Sequence, residues 1–179
     1  MDFAELLNSV NSIEEKYPPV HLWNPDLCEG VEMRIDREGN WFYQGSIIGR
    51  DKLKILFSKI LKFENGKYYL VTPVEKVPVT VDLAPYMIVD YEVDLDHKNI
   101  ILKTNLDVYI PLDKDHQLEL KKIGDEHIPF VHVRNNIEGF ISRSVYYSLI
   151  EIALKQDNGS SDQLTLQSFN CDFNLGQTI

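Results

Sequence analysis

Most of the chain alternates apolar and polar residues in short runs, which is the pattern of half-buried β-strands. Turn-forming residues separate the runs, as in the Gly-containing stretch 36–40, which predicts a hairpin. The alternation predicts strands over 31–35, 41–43, 68–72, 77–81, 87–93, 100–104, 108–112, 118–120, 130–134 and 164–169.

Three segments instead repeat apolar residues every three or four positions, as amphipathic helices do. They predict a leading helix over 2–16, which Pro18 and Pro19 end, and two further helices over 50–62 and 143–156. A few helices among meandering antiparallel strands indicate the α+β class.

The stretch 48–66 recurs at 141–159, with Arg50 matched by Arg143 and Asn65-Gly66 matched by Asn158-Gly159. Seven positions of the two stretches are identical, so the similarity indicates an internal repeat. Each copy is predicted as a strand, a helix closed by the Asn-Gly pair, and another strand. The sequence therefore predicts a duplicated strand-helix-strand unit in two packed halves, 1–80 and 81–179.

The two repeat helices differ in the width of their apolar face. At 100° per residue, the apolar residues of the first helix cover about 140° and those of the second about 220°. This predicts that the second helix lies between two layers and that the first lies on an edge. Ile55 falls on the polar side of the first helix, between Asp51 and Lys59, and is the predicted contact point for a partner.

Charge and cysteine content narrow the class of protein. The net charge is −10; residues 1–80 carry 10 Lys/Arg and 12 Asp/Glu, whereas residues 81–179 carry 8 and 16. Nucleic-acid binding needs clustered cations, so it is disfavoured, above all for the second half. Cys28 and Cys171 form no CxxC pair, which excludes a disulfide framework and indicates a reducing compartment. With no signal-peptide pattern and no apolar run of about 20 residues, we expect a cytoplasmic protein without a membrane span.

Five blocks carry a resemblance to a known family: HLWNP (21–25), RIDREGNWFYQGSIIGR (34–50), YYLVTPVEKV (68–77), LAPYMIVDYE (83–92) and IPFVHVRNNIEGFISRSVYYSLIEIA (128–153). Over most of the chain, the sequence resembles the bacterial family known as domain of unknown function 1285. The resemblance implies an α+β fold with a duplicated core and a pleckstrin-homology-like C-terminal half. It implies no catalytic activity, and it suggests a signalling role with a ligand or partner bound between the halves.

Two pairs of basic residues are candidate anion-binding groups. His132 and Arg134 share one face of a predicted strand, where they can hold an anion or a partner's carboxylate, or simply face solvent. Arg50 and Arg143 stand where the chain enters each repeat helix, although helix N-termini favour anions. Each arginine can serve a binding site, or it can brace a carboxylate of the neighbouring half.

The first half holds further candidates. Trp41 and Tyr43, with Arg34 close by, can stack a base or grip a peptide, or they can belong to the core. Glu75 and Lys76 follow Pro73 and can act in acid–base chemistry if they are buried; at a strand edge they are solvated instead.

Taken together, these features predict a non-enzymatic module that binds a protein or a small ligand, with a regulatory role and with no metal or cofactor. His127 and His132 are five residues apart on an extended strand and therefore form no zinc motif. The alternatives are a small-molecule enzyme that uses Glu75, Lys76 and His132, and weak nucleic-acid binding by the N-terminal half. The predicted site lies between the halves and comprises Arg34, Trp41, Tyr43, Arg50, Glu75, Lys76, His132, Arg134 and Arg143.

Overall fold

A computed structural model describes residues 17–28, 30–94, 96, 98–156 and 163–177. The predicted leading helix over 2–16 and the Asn158-Gly159 pair lie outside these residues. The described part of the chain contains fourteen strands and two α-helices, together with a short 3-10 helix at Val20–Leu22.

The first half forms a six-stranded sheet with one helix in its middle connection. Its elements are β1 (Met33–Ile35), β2 (Trp41–Tyr43), β3 (Ser46–Ile47), α1 (Asp51–Lys59), β4 (Leu61–Glu64), β5 (Lys67–Val71) and β6 (Lys76–Val81).

The second half forms another six-stranded sheet, followed by a helix and a hairpin. Its elements are β7 (Tyr86–Val93), β8 (Ile100–Thr104), β9 (Tyr109–Pro111), β10 (Leu118–Ile123), β11 (Glu126–Arg134), β12 (Ile137–Ile141), α2 (Arg143–Gln156), β13 (Gln163–Ser168) and β14 (Cys171–Gln177). This arrangement confirms the α+β class and the two-half organisation.

The two sheets have the same strand order. The first runs β3-β2-β1-β6-β5-β4 and the second β9-β8-β7-β12-β11-β10, so β7–β12 repeat the topology of β1–β6. In each sheet, two antiparallel three-stranded meanders meet where the first and last strands pair in parallel. The helices do not follow this repeat, because α1 connects β3 to β4 whereas α2 follows β12. The sequence repeat over 48–66 and 141–159 therefore aligns the helix that follows the edge strand β3 with the helix that follows the inner strand β12.

The parallel joint of the second sheet requires a glycine. Gly139 of β12 lies opposite Tyr86 of β7. A Cβ atom at Gly139 would lie 3.0 Å from the Tyr86 Cβ and 3.2 Å from its carbonyl oxygen. Only glycine lets the two backbones approach this closely.

One continuous hydrophobic core joins the halves. It includes Ile35 and Trp41 from the first sheet and Tyr86 and Leu102 from the second, all completely buried. The Tyr86 hydroxyl donates to the Ser58 carbonyl oxygen at 3.3 Å, so the second sheet also contacts α1 through a buried hydrogen bond.

The helix that follows β12 is the more buried one, as predicted. Val145, Leu149, Ile152 and Ala153 of α2 are buried, and the helix packs against both β7 and β13. In α1 only Ser58 is buried.

Two predictions for the first helix are wrong. It ends at Lys59 rather than 62, because the chain turns directly into β4, and Asn65-Gly66 forms the β4–β5 hairpin turn with positive φ at both residues. The buried side of the helix also differs from the prediction: Ile55, predicted on the polar side, packs against the core, whereas Leu56 is 56% exposed.

Candidate functional site at the interface of the halves

A cleft of about 690 Å³ lies between the N-terminal segment and the second sheet. We call it the interface cleft. The first half contributes its lining at 17–19 and 21, and the second half contributes 108–111, 113, 115–116 and 132–135. The cleft therefore depends on the packing of both halves.

The loop from β9 to β10 is held by one carboxylate. Asp113 Oδ1 accepts hydrogen bonds from the backbone N–H groups of Asp115 and His116, both at 3.0 Å. The same oxygen lies 2.9 Å from Nδ1 of His116. An aspartate that accepts backbone hydrogen bonds from the next residues of its loop is a common feature of turns. Here the same carboxylate also orients the His116 imidazole ring.

A second imidazole faces the first across the cleft. His132 places Nδ1 2.9 Å from the backbone carbonyl oxygen of Asp115, so this nitrogen carries the proton and donates it. The ring centroids of His116 and His132 are 6.1 Å apart. Within the described residues, neither Nε2 atom has a hydrogen-bond partner, and both rings line the cleft.

Arg134 links the cleft to α1. A register shift in β11 falls between His132 and Arg134, and such bulges re-aim the side chains of a strand. The Arg134 guanidinium donates from Nη2 to the carbonyl oxygens of Ser58 at 2.6 Å and Leu61 at 3.3 Å. The Ser58 carbonyl lies in the last turn of α1, where positive charge is favoured, and Leu61 is the first residue of β4.

Tyr17 covers the Arg134 guanidinium. The Arg134 Cζ lies 4.3 Å from the centroid of the Tyr17 ring, a cation–π distance. Burial raises the pKa of Tyr17 to about 12, the nearby Tyr86 adds to the increase, and Arg134 partly offsets it. The neutral Tyr17 ring thus covers the Arg134 guanidinium, which connects the second half to α1.

Of the nine residues predicted from sequence, two line the interface cleft and two line a separate groove. His132 and Arg134 are in the cleft. Tyr43 and Arg50 are in the second depression, of about 460 Å³, which we call the edge groove. Its lining residues are Tyr43, Ser46, Ile47, Ile48, Gly49, Arg50, Leu53 and Phe57.

The other candidates lie elsewhere. Trp41 is completely buried in the core and stacks against Phe57. Arg34 forms a two-point ion pair with Asp82, at 3.1 and 2.6 Å, and this hydrogen bonding lowers the pKa of Asp82. Arg143 forms an exposed pair with Glu126 at 3.3 Å.

Glu75 and Lys76 do not join His132. Glu75 is exposed, and neither residue lines the interface cleft. The Lys76 ammonium lies 2.5 Å from Glu64, and Lys62 lies 2.9 Å from the other oxygen of the same carboxylate. Hydrogen bonds from Lys76 and then Lys62 lower the pKa of Glu64 from 4.5 to about 2.

We expect Glu64→Gln to destabilise the protein at pH 7, and we expect this difference to shrink as the pH falls from about 4.5 toward about 2. A carboxylate whose pKa is lowered on folding stabilises the native state only while it is ionised. Urea unfolding of both proteins at pH 7, 5, 4 and 3 measures the effect. Glu119→Gln is the control, because Glu119 is exposed and forms no ion pair within the described residues. A difference that is constant across this range would contradict the role of the ion pairs.

Several cleft residues were missed from sequence. Asp113, Asp115 and His116 are not among the nine residues predicted from sequence. The signal was present in the run Asp113-Lys114-Asp115-His116, where a turn-forming carboxylate precedes an imidazole by three residues. Tyr17 and His21 carried no signal, because their place in the cleft depends on tertiary packing.

Comparison with known proteins assigns the chain to a family. The model for the N-terminal domain of the DUF1285 family, a domain of unknown function, matches residues 18–84, and the model for its C-terminal domain matches residues 85–175. The chain belongs to the DUF1285 family. The two matched regions correspond to the two sheets, since β6 ends at Val81 and β7 begins at Tyr86. No curated protein matches the chain.

Two solved structures of DUF1285 proteins are similar to this one. A DUF1285 family protein from Silicibacter pomeroyi DSS-3 shares 36% identity and a TM-score of 0.78, over 97% of this chain and 95% of that chain. A second, from Shewanella baltica OS155, shares 28% identity and a TM-score of 0.57, over 70% of this chain and 94% of that chain. Neither α-helix of the described part of the chain has the length and hydrophobicity that a transmembrane helix requires.

Proposed function

We propose that this DUF1285 protein is a non-enzymatic binding module that takes a small molecule with a carboxylate or phosphate group into the interface cleft. The supporting observation is the pair of imidazoles, His116 and His132, which hold Nδ1 on loop oxygens and leave Nε2 free in the cleft. An imidazole ring that carries a proton on both nitrogens donates from Nε2 to an oxyanion while Nδ1 stays on its loop oxygen. The apolar part of the ligand would rest on Pro18 and Ile110.

The proposed role is regulatory. His132 is two positions before Arg134 in β11, so a ligand bound to His132 lies next to the side chain that holds the end of α1 to the second half. Ligand binding then stabilises the conformation in which both halves form the cleft, relative to one in which they do not. The size of this effect equals the difference in ligand-binding free energy between the two conformations. Such coupling between a small-molecule site and the packing of two halves is what a signalling module requires.

Isothermal titration with inorganic phosphate and with succinate tests the proposal. We expect one of these probes to bind, and we expect His116→Ala with His132→Ala to weaken it at least about tenfold, because charge-assisted hydrogen bonds are lost. His127→Ala is the matched control, since His127 is an exposed histidine of β11 outside the cleft. Equal binding by the double variant, or binding of neither probe, would contradict the proposed site.

An acid–base enzyme that uses Glu75, Lys76 and His132 has less support. Lys76 is engaged by Glu64, and the three side chains share no cleft among the described residues. Nucleic-acid binding by the first half also has less support, since Lys54 is paired with Asp51 at 2.7 Å and Lys62 with Glu64.

We also propose a pleckstrin-homology-like C-terminal half and a cytoplasmic location. A mainly antiparallel sheet followed by α2 supports the first proposal, and superposition on pleckstrin-homology domains tests it. The free thiols of Cys28 and Cys171 suit a reducing compartment, which supports the second.

A further inference from the structure

The edge groove lies beside an unpaired strand. β3 is at the end of the first sheet and pairs only with β2 among the described strands. The Ile48 N–H donates to the Trp41 carbonyl oxygen at 2.7 Å, so Ile48 points its backbone groups toward β2. In an antiparallel pair, the neighbouring residue directs its N–H and C=O groups the other way. Ile47, which is 61% exposed, therefore offers both groups to solvent.

The groove between this edge and α1 is apolar. Leu53 and Phe57 form the helix side, and Trp41 supports Phe57 from below at a ring distance of 6.3 Å. Gly49 leaves the groove open, because a Cβ atom there would meet nothing within 4 Å. A backbone can thus approach the edge closely, and apolar side chains at alternate positions can enter the groove.

The charge at the rim is positive, in a chain whose net charge is −10. Arg50 is the charged residue of the lining, and Lys52 follows it on the exposed surface of α1. Neither side chain forms a hydrogen bond or ion pair within the described residues, whereas Lys54 is paired with Asp51. Two cations without a partner in the described part of the chain, at the rim of an apolar groove, complement negative charge, so the charge favours an acidic occupant.

We propose that the edge groove binds an extended, acidic segment of a partner protein by strand addition. The segment pairs its backbone with Ile47, places an apolar side chain over Leu53 and Phe57, and places a carboxylate beside Arg50. Backbone hydrogen bonds supply affinity in this mode, and the pockets beside the edge supply specificity. The site is separate from the interface cleft, so either proposal can fail without the other.

Fluorescence anisotropy with defined peptides tests the inference on the full chain. The probe is a short labelled peptide that alternates glutamate with valine, and its matched partner has lysine at every glutamate. We expect the acidic peptide to bind and the lysine peptide not to bind. N-methylation of the backbone nitrogens that face β3 should weaken binding at least about tenfold, because the hydrogen bonds are lost while the side chains remain.

Two variants locate the peptide. Gly49→Val adds a side chain to the groove lining at a position where a Cβ atom would meet nothing within 4 Å, and it should weaken binding at least about tenfold. Arg50→Glu places an anion at a helix start, which the fold tolerates, and should transfer binding from the acidic peptide to the lysine peptide. Lys122→Glu, an exposed change of the same sign on β10 of the other sheet, is the control and should leave binding unchanged.

Three results would overturn the inference. One is that the acidic peptide shows no binding. Another is that it binds Gly49→Val and Arg50→Glu as tightly as it binds the unmodified chain. The third comes from sedimentation: a dimer that dissociates in Gly49→Val would mean that a second copy, and not an acidic partner segment, occupies the edge groove.

Discussion

Replacing Trp41 with alanine is expected to lower the free energy of unfolding by about 3–5 kcal/mol, the usual cost of truncating a large buried aromatic residue. The ring is completely buried and stacks against Phe57. Its backbone lies opposite Ile35 of β1 and accepts the hydrogen bond from Ile48. Since ordinary domains are stable by only about 5–15 kcal/mol, the variant should unfold at a much lower urea concentration. Far-UV circular dichroism is the suitable probe, because the variant loses one of the two tryptophans.

Two matched variants distinguish a core role from a surface role. Trp41→Phe should cost much less than alanine, because it keeps most of the buried area and removes an indole N–H that has no partner in the described structure. Tyr43→Ala changes an aromatic residue of the same strand that is 50% exposed, and it should cost less than about 1 kcal/mol. If the alanine variants of Trp41 and Tyr43 lose equal stability, the buried position of Trp41 is contradicted.

Much of the fold follows from patterns that act over a few residues. Alternation predicts most strands of both sheets, and the turn at 36–40 is a hairpin in which Asp36 accepts hydrogen bonds from the backbone of Glu38 and Asn40. The wide apolar arc of α2 correctly predicts its deeper burial, because a helix covered on two sides needs apolar residues on both.

The failures arise where a short segment suits two conformations. Residues 61 and 62 belong to the predicted helix, yet they form part of β4, in which Leu61 and Phe63 pair with Leu70 and Tyr68 of β5. That partner strand is not visible to a local pattern. Ile55 packs against the core and Leu56 is exposed, because tertiary packing and not the local pattern decides which side of this short helix is buried.

The candidate sites show the same limit. His132 and Arg134 are two residues apart on one strand, so a local pattern identifies them together. Tyr17 and His116 reach the same cleft from segments that are distant in sequence, and only tertiary packing brings them there. The edge groove depends on sheet order, since β3 is an edge strand because, among the described strands, only β2 pairs with it.

Replacing Arg134 with methionine is expected to lower the free energy of unfolding by about 2–3 kcal/mol, the range for charge-assisted hydrogen bonds whose loss leaves partly buried acceptors unpaired. The Ser58 and Leu61 carbonyl oxygens accept from Arg134 at the α1–β4 junction, and methionine keeps the apolar stem but supplies no donor. Tyr86 still donates to Ser58 at 3.3 Å, which limits the loss. Urea unfolding measures the change, and native-state hydrogen exchange should show faster exchange near the α1–β4 junction.

Arg143→Met is the matched control, because it makes the same chemical change at a guanidinium that is 84% exposed and pairs with an exposed carboxylate. Such surface pairs contribute about 0–1 kcal/mol, so this variant should remain close to the parent. Arg134→Lys should recover part of the loss, since a cation still favours the helix C-terminus but cannot reproduce the planar geometry of the guanidinium. Equal stability of the two methionine variants would mean that Arg134 does not hold the halves together. The route proposed from the interface cleft to α1 would then have no physical basis.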